Sequence, residues 1–194
     1  EGNVMMNPQA RSCRPDEPQH GFPIAAIVHS NGDPADELLA RFALDLRDCG
    51  WEVRGIVQRG CGTGEGRTAL VDLDSGRRYP LFQALGSGSV SCSLDPGSVA
   101  AASVTLRDAL ARGADLAVAN RFGALEASGR GLAAEMLALM SEGLPLLTVV
   151  GEAYLRDWRS FTGGFGAELA PSRLALEEWF TQVKYGMDAS CARG

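Results

Sequence analysis

The sequence predicts a three-layer α/β domain, a mainly parallel sheet with helices on both faces and a β-hairpin insertion near 68–81. Three observations lead there. Short, wholly apolar runs occur at Ile24-Ala25-Ala26-Ile27-Val28, Leu116-Ala117-Val118-Ala119 and Leu146-Leu147-Thr148-Val149-Val150, a pattern suited to strands buried on both faces. Stretches with apolar residues at helical spacing alternate with those runs. Glycine closes most of the helical stretches. Strand and helix in alternation imply right-handed crossovers and a sheet covered on both sides.

The elements follow in order. Residues 1–22 hold three prolines without periodicity and are expected to form a flexible N-terminal arm, with one domain over 23–185 and a C-terminal tail over 186–194. After the first strand, Asp33 or Ser30 is positioned to cap a helix that Pro34 opens. Leu38, Leu39, Phe42, Ala43 and Leu46 give that helix its apolar face, and Gly50 stops it. A second strand is expected over Trp51 to Gln58, then a glycine-rich loop from Arg59 to Arg67. Thr68 to Leu73 and Arg78 to Leu81, joined by Asp74-Ser75-Gly76, read as the hairpin. A loop over Gln83 to Leu94 leads to a helix from Asp95-Pro96 to Arg112, closed by Gly113. Leu116 to Ala119 forms a third core strand, and a loop over Arg121 to Arg130 precedes a helix from Gly131 to Met140. After the strand at 146–150, helices are expected around Tyr154 to Phe161 and Ser172 to Tyr185, separated by Gly163-Gly164.

Composition excludes several classes. With 45% apolar and 22% charged residues in 194, the chain has enough apolar content for one substantial core. A net charge of -6 argues against a nucleic-acid partner or an anionic membrane surface. No apolar run reaches the roughly 20 residues that span a bilayer, so membrane insertion is not expected. The start of the chain lacks a secretory pattern. The five cysteines are odd in number and form no Cys-x-x-Cys, which fits a reducing cytoplasm.

In parallel sheets of this kind, ligands bind beyond the carboxyl ends of the strands. The first strand brings His29, Ser30 and Asn31 to that edge, the second Gln58 and Arg59, and the third Asn120, Arg121, Gly123, Glu126 and Arg130. The loop over Gly86 to Cys92 adds Gly88, Ser89, Ser91 and Cys92 just before a helix start, where hydroxyls and glycine N–H groups suit an oxyanion. Cys61, Cys92 and His29 are weak metal candidates, since no close ligand spacing supports them. Trp158, Trp179, Phe161, Tyr154, Met136 and Met140 are expected in the core or an interface.

The first turn, Ser30-Asn31-Gly32-Asp33-Pro34, sits where a phosphate-binding loop would sit but has one glycine and no lysine. Asp33 and Asp36 near the helix start stabilise the helix and repel a phosphate. The third strand ends in Asn120, where a magnesium-holding aspartate would stand in a nucleotide hydrolase. Hydrolysis by the ordinary mechanism is therefore not expected.

Gly55-Ile56-Val57-Gln58-Arg59, Cys92-Ser93-Leu94-Asp95-Pro96-Gly97 and Asn120-Arg121-Phe122-Gly123-Ala124-Leu125-Glu126-Ala127-Ser128-Gly129-Arg130-Gly131 resemble an uncharacterised bacterial domain family, loosely described as a molybdenum ABC-transporter ATP-binding protein. The resemblance covers about Phe22 to Leu169. The order of segments is also similar to small P-loop nucleoside-triphosphatases, with Gly123 and Glu126 matching their acidic segment in type. The ABC signature Leu-Ser-Gly-Gly-Gln is absent from this sequence. The resemblance implies a P-loop NTPase-like (Rossmann-like) fold and a molybdenum-linked context.

The leading expectation is a non-hydrolysing binding protein that holds a nucleotide or a tetrahedral oxyanion such as molybdate, and that assists a molybdenum-related protein. Two alternatives stand beside it: a weak nucleoside triphosphatase or phosphotransferase with Glu126 as base, and a metal- or thiol-handling accessory protein using Cys61 and Cys92. The ligand is expected to be small and anionic, and a homo-oligomer is left open.

Overall fold

The computed structural model describes residues 23–30, 33–60, 68–80 and 96–191. Seven strands form one sheet in the order β4-β3-β2-β5-β6-β1-β7. The strands are β1 (Ile24–His29), β2 (Val53–Gly60), β3 (Thr68–Asp72), β4 (Arg78–Pro80), β5 (Leu116–Ala119), β6 (Leu146–Gly151) and β7 (Ala167–Leu169). The helices are α1 (Ala35–Asp48), α2 (Pro96–Arg112), α3 (Ala124–Ala127), α4 (Ala133–Ser141), α5 (Leu155–Phe161) and α6 (Arg173–Cys191). All pairings among β1, β2, β5, β6 and β7 are parallel, and only the hairpin β3-β4 joins β2 antiparallel.

Strand periodicity divides the core into two layers. Ala25, Ile27, Val53, Val57, Leu116, Val118, Leu147 and Val149 face α1 and α6. Ile24, Ala26, Ile56, Ala117, Ala119, Leu146 and Val150 face α2, α4 and α5. The chain leaves β1 over the first face through α1, and leaves the adjacent β6 over the opposite face through α5. The strand order therefore reverses between β1 and β6, and the loops beyond their carboxyl ends diverge.

Several local expectations change. Pro34 is itself the N-cap of α1, and no side chain caps that helix end. Asp33 turns back so that its Oδ2 accepts the Ser30 N–H at 2.9 Å. The segment expected as loop over Arg121 to Arg130 contains the one-turn helix α3, and α6 continues past Tyr185 to Cys191. A short strand, β7, pairs with β1 at Ala25 to Ile27. Three residues are too few to show a period, so only the partner strand defines it. Gly50 and Gly113 end their helices with positive φ, as expected.

Gly55 explains how β2 and β5 lie so close. Its φ is 123°, and a Cβ there would overlap the Val118 backbone, so only glycine fits. Of the residues expected in the core, Trp158 is fully buried, Trp179 and Met136 are buried, and Phe161, Tyr154 and Met140 are partly buried against it. Among the described residues no helix is long and apolar enough to cross a membrane.

Candidate functional site

The end of β5 is anchored first. Phe122 continues the strand by one bridge to Val150 and is buried against Trp158 and Phe161, at centroid distances of 5.4 and 5.1 Å. With that ring fixed, the two residues before it stand at the carboxyl edge. Asn120 is 6% exposed and donates from Nδ2 to Gln58 Oε1 at 3.2 Å, tying β5 to β2. Arg121 donates from Nη2 to Asp36 Oδ2 at 2.6 Å, tying β5 to the first turn of α1.

Glu126 organises the chain that follows. Its Oε2 accepts the Gly123 N–H and its Oε1 the Leu132 N–H, each at 3.1 Å. The first contact is half of a capping box for α3. Gly131 has φ 61°, and a Cβ there would strike Glu126 Oε1, so this glycine keeps the carboxylate in place. Buried, with one backbone donor on each oxygen, Glu126 is a brace for residues 123–132.

At the switch between β1 and β6 a cavity of about 330 Å³ is lined by His29, Ser30, Arg121, Gly123, Glu152 and Tyr154, among others. The His29 ring donates from Nδ1 to the Ser30 carbonyl at 2.9 Å, which fixes the orientation of the ring. Its Nε2 lies beside Gly151. The Ser30 hydroxyl donates to Glu152 Oε1 at 2.7 Å and locks the loops after β1 and β6 together.

Four buried polar atoms along this edge lack a hydrogen-bond partner among the described residues: His29 Nε2, Asp36 Oδ1, Asn120 Oδ1 and Arg121 Nε. Each such group costs about 1–3 kcal/mol, so their concentration on one edge calls for a reason. The charges are less open. Arg121 is held by Asp36, and Glu152 stands beside the same cavity with only a hydroxyl on it.

The sequence-predicted residues are thus sorted by the fold. His29, Ser30, Gln58, Asn120, Arg121, Gly123 and Glu126 line two adjoining cavities on this edge. Arg59 lies on a groove along α1 with Asp36, Glu37, Asp45 and Asp48, which shares Gln58 with the first of those cavities but does not bring Arg59 into either. Arg130 is exposed, donates from Nε to Ser128 Oγ at 3.1 Å, and lines neither cavity. Asn31, Cys61, Gly88, Ser89, Ser91 and Cys92 lie outside the described residues. Among the described residues no group of three or more His, Cys, Asp or Glu is placed to hold a metal ion. The sequence reading missed the apolar wall formed by Leu70 of β3 with Val99 and Ala102 of α2. Nothing local marks those residues, because only the sheet order brings hairpin and helix together.

Lys184 is the only lysine in the sequence. It lies at the opposite, amino edge, bound to Asp115 just before β5 and stacked over the Trp51 ring at 4.8 Å.

The mainly parallel sheet, covered by helices on both faces, gives the chain a P-loop NTPase-like α/β fold. The solution structure of a human cancer-related nucleoside triphosphatase superposes with a TM-score of 0.58 at 16% identity, covering 86% of this chain and 98% of that one. Residues 24–179 match the family described as Protein of unknown function (DUF2478), and the chain belongs to that family. It is also 42% identical over 167 residues to the Molybdenum import ATP-binding protein ModC 2 of Bradyrhizobium diazoefficiens. That match spans 84% of this chain and 19% of the relative, so the chain covers under a fifth of that protein's length.

Proposed function

We propose that this chain is a nucleotide-binding protein that holds its ligand along the carboxyl edge without hydrolysing it, in a molybdenum-linked accessory role. The observation that carries the reading is the set of four unpartnered buried polar atoms along the carboxyl edge, with His29 Nε2 and Arg121 Nε at the cavity between β1 and β6, Asn120 Oδ1 at the adjoining cavity and Asp36 Oδ1 on α1. Open sheets of this kind place their ligands there. The fold of the nucleoside triphosphatase neighbour supports a nucleotide, and the name of the bacterial relative supports the molybdenum link.

Burial of uncharged surface, not charge, favours a nucleotide over a bare oxyanion such as molybdate. Arg121 is already paired with Asp36, and Glu152 adds negative charge to the polar cavity. A compact dianion would have to bind against that carboxylate on charge alone. A nucleotide also buries a sugar and a base, and gains free energy from surface that carries no charge. The non-hydrolysing half of the reading is supported by Lys184, held on the other edge, and by neutral Asn120 at the end of β5. Glu126 does not favour a role as general base, because both of its oxygens accept backbone N–H groups.

Calorimetric titration of the wild-type chain with ATP, GTP, phosphate and molybdate tests this directly. Binding of ATP or GTP with weaker or absent heats for phosphate and molybdate is the expected result. Silence from both nucleotides overturns the reading. Phosphate release that rises with protein concentration would overturn its non-hydrolysing half alone.

A further inference from the structure

Beside the polar cavity lies a second one of about 200 Å³, and its walls differ in kind. Leu70 comes from the hairpin, Val99 and Ala102 from α2, and Leu125 and Leu132 from the segment braced by Glu126. Polar side chains from the ends of β2 and β5, Gln58 and Asn120, also line it. Arg121 and Gly123 line both cavities, so the two adjoin.

The chemistry of the amide pair is specific. A carboxamide offers one carbonyl oxygen and two N–H donors. The hydrogen bond from Asn120 Nδ2 to Gln58 Oε1 uses a donor of one and the acceptor of the other. Asn120 Oδ1 remains as a buried acceptor without a partner among the described residues, and the Gln58 amide nitrogen is a donor that this bond does not use. An acceptor beside a donor is the complement of a flat ring edge that carries an N–H next to a ring nitrogen or carbonyl. Asn and Gln read nucleobase edges in this way. An aliphatic ligand would fit the apolar walls but leave Asn120 Oδ1 unsatisfied, and a charged one would be poorly solvated there.

We infer that this cavity takes the nucleobase of the ligand, with Asn120 and Gln58 reading its edge, while the polar cavity around His29, Ser30 and Arg121 takes the phosphate end. The inference rests on the nucleotide-binding reading and adds the orientation and the recognition element. Asn120, which stands where a hydrolase would carry an acidic residue, thereby becomes the residue that recognises the base.

The test compares wild type with Asn120→Leu, which removes the acceptor, and with Val99→Phe, which narrows the cavity from α2 and leaves the amide pair intact. ATP, GTP, adenosine, guanosine and ribose 5-phosphate are titrated into each by calorimetry, after thermal melts confirm a cooperative fold. Both variants are expected to weaken the preferred nucleotide by about tenfold or more, the range of one lost bidentate base contact. Ribose 5-phosphate is expected to bind all three proteins equally, and the nucleoside that binds wild type identifies the base. Wild-type nucleotide affinity in either folded variant overturns the placement of the base and leaves nucleotide binding standing. Absence of nucleotide binding to wild type overturns both.

Discussion

The two edges of the sheet treat polar groups in opposite ways. At the amino edge, Asp74 in the β3-β4 turn receives Arg47 from the end of α1, Arg54 from β2 and Arg112 from the end of α2. Asp115 there accepts the Glu52 N–H at 3.0 Å and pairs with Lys184. The two helix C-termini are also where cations are favoured by the helix dipole. At the carboxyl edge, His29 Nε2, Asp36 Oδ1, Asn120 Oδ1 and Arg121 Nε are buried without partners among the described residues. The amino edge staples hairpin, helices and sheet together. The carboxyl edge keeps unused hydrogen-bonding capacity, a destabilising arrangement that a ligand would relieve. Glu126 on that edge has a backbone donor on each oxygen and shapes the cavities.

That contrast predicts where substitutions act on stability and where on binding. The largest loss is expected for Glu126→Ala, which strips acceptors from two backbone N–H groups, at a cost of about 3 kcal/mol in urea unfolding. An unchanged midpoint would mean that residues 123–132 are held by packing alone. Asp74→Asn is expected to cost about 1–2 kcal/mol, limited by solvent screening at the exposed arginines, and to leave ligand binding untouched. A shift in nucleotide affinity in that variant would break the division between the edges. Asn120→Leu removes an unpartnered acceptor but also the hydrogen bond to Gln58 Oε1, so its net cost is expected to be about 1 kcal/mol. A much larger loss would mark Asn120 as part of the scaffold.

The smallest effect concerns acid. Burial pushes the Asp115 carboxyl up, but the Lys184 and Glu52 hydrogen bonds outweigh it and hold the group below its ordinary value of 3.8. The hydrogen bonds from Arg159 do the same for Glu168, below 4.5, against a smaller opposing push from burial. Because both folded-state values are lowered, their stabilisation is fully present above about pH 5 and is lost as pH falls through the folded values. Asp115→Asn should therefore flatten the stability curve below about pH 4 and leave its slope near neutrality unchanged. An unaltered acid limb in equilibrium unfolding at several pH values would contradict the contribution of the Lys184 pair.

Much of the fold is legible along the chain because its signals are local. The apolar runs at 24–28, 116–119 and 146–150 appear as β1, β5 and β6, and the Asp74-Ser75-Gly76 turn joins an antiparallel hairpin. The helix cap proposed for Asp33 or Ser30 fails because Pro34 takes the cap position and Asp33 finds a closer donor in the Ser30 N–H. The family follows from the run Asn120 to Gly131, in which Gly123, Glu126 and Gly131 form one braced unit. The candidate site is legible only as a roster of polar residues at strand ends.

The sequence by itself determined the class of fold, most of its strand and helix segments, the absence of a lysine from the first turn and the neutral Asn120 after the third core strand. Those properties depend on residue type and on periods of two or 3.6, which operate within one element. Tertiary structure alone decided the rest: that Ser30 meets Glu152 across 122 positions, that Arg121 meets Asp36 across 85, and that β7 exists at all. It also decided that Lys184 stands at the edge away from the cleft. Whether a polar group is paired or left waiting depends on which strands become neighbours, and the crossovers set that order over distances no local pattern spans.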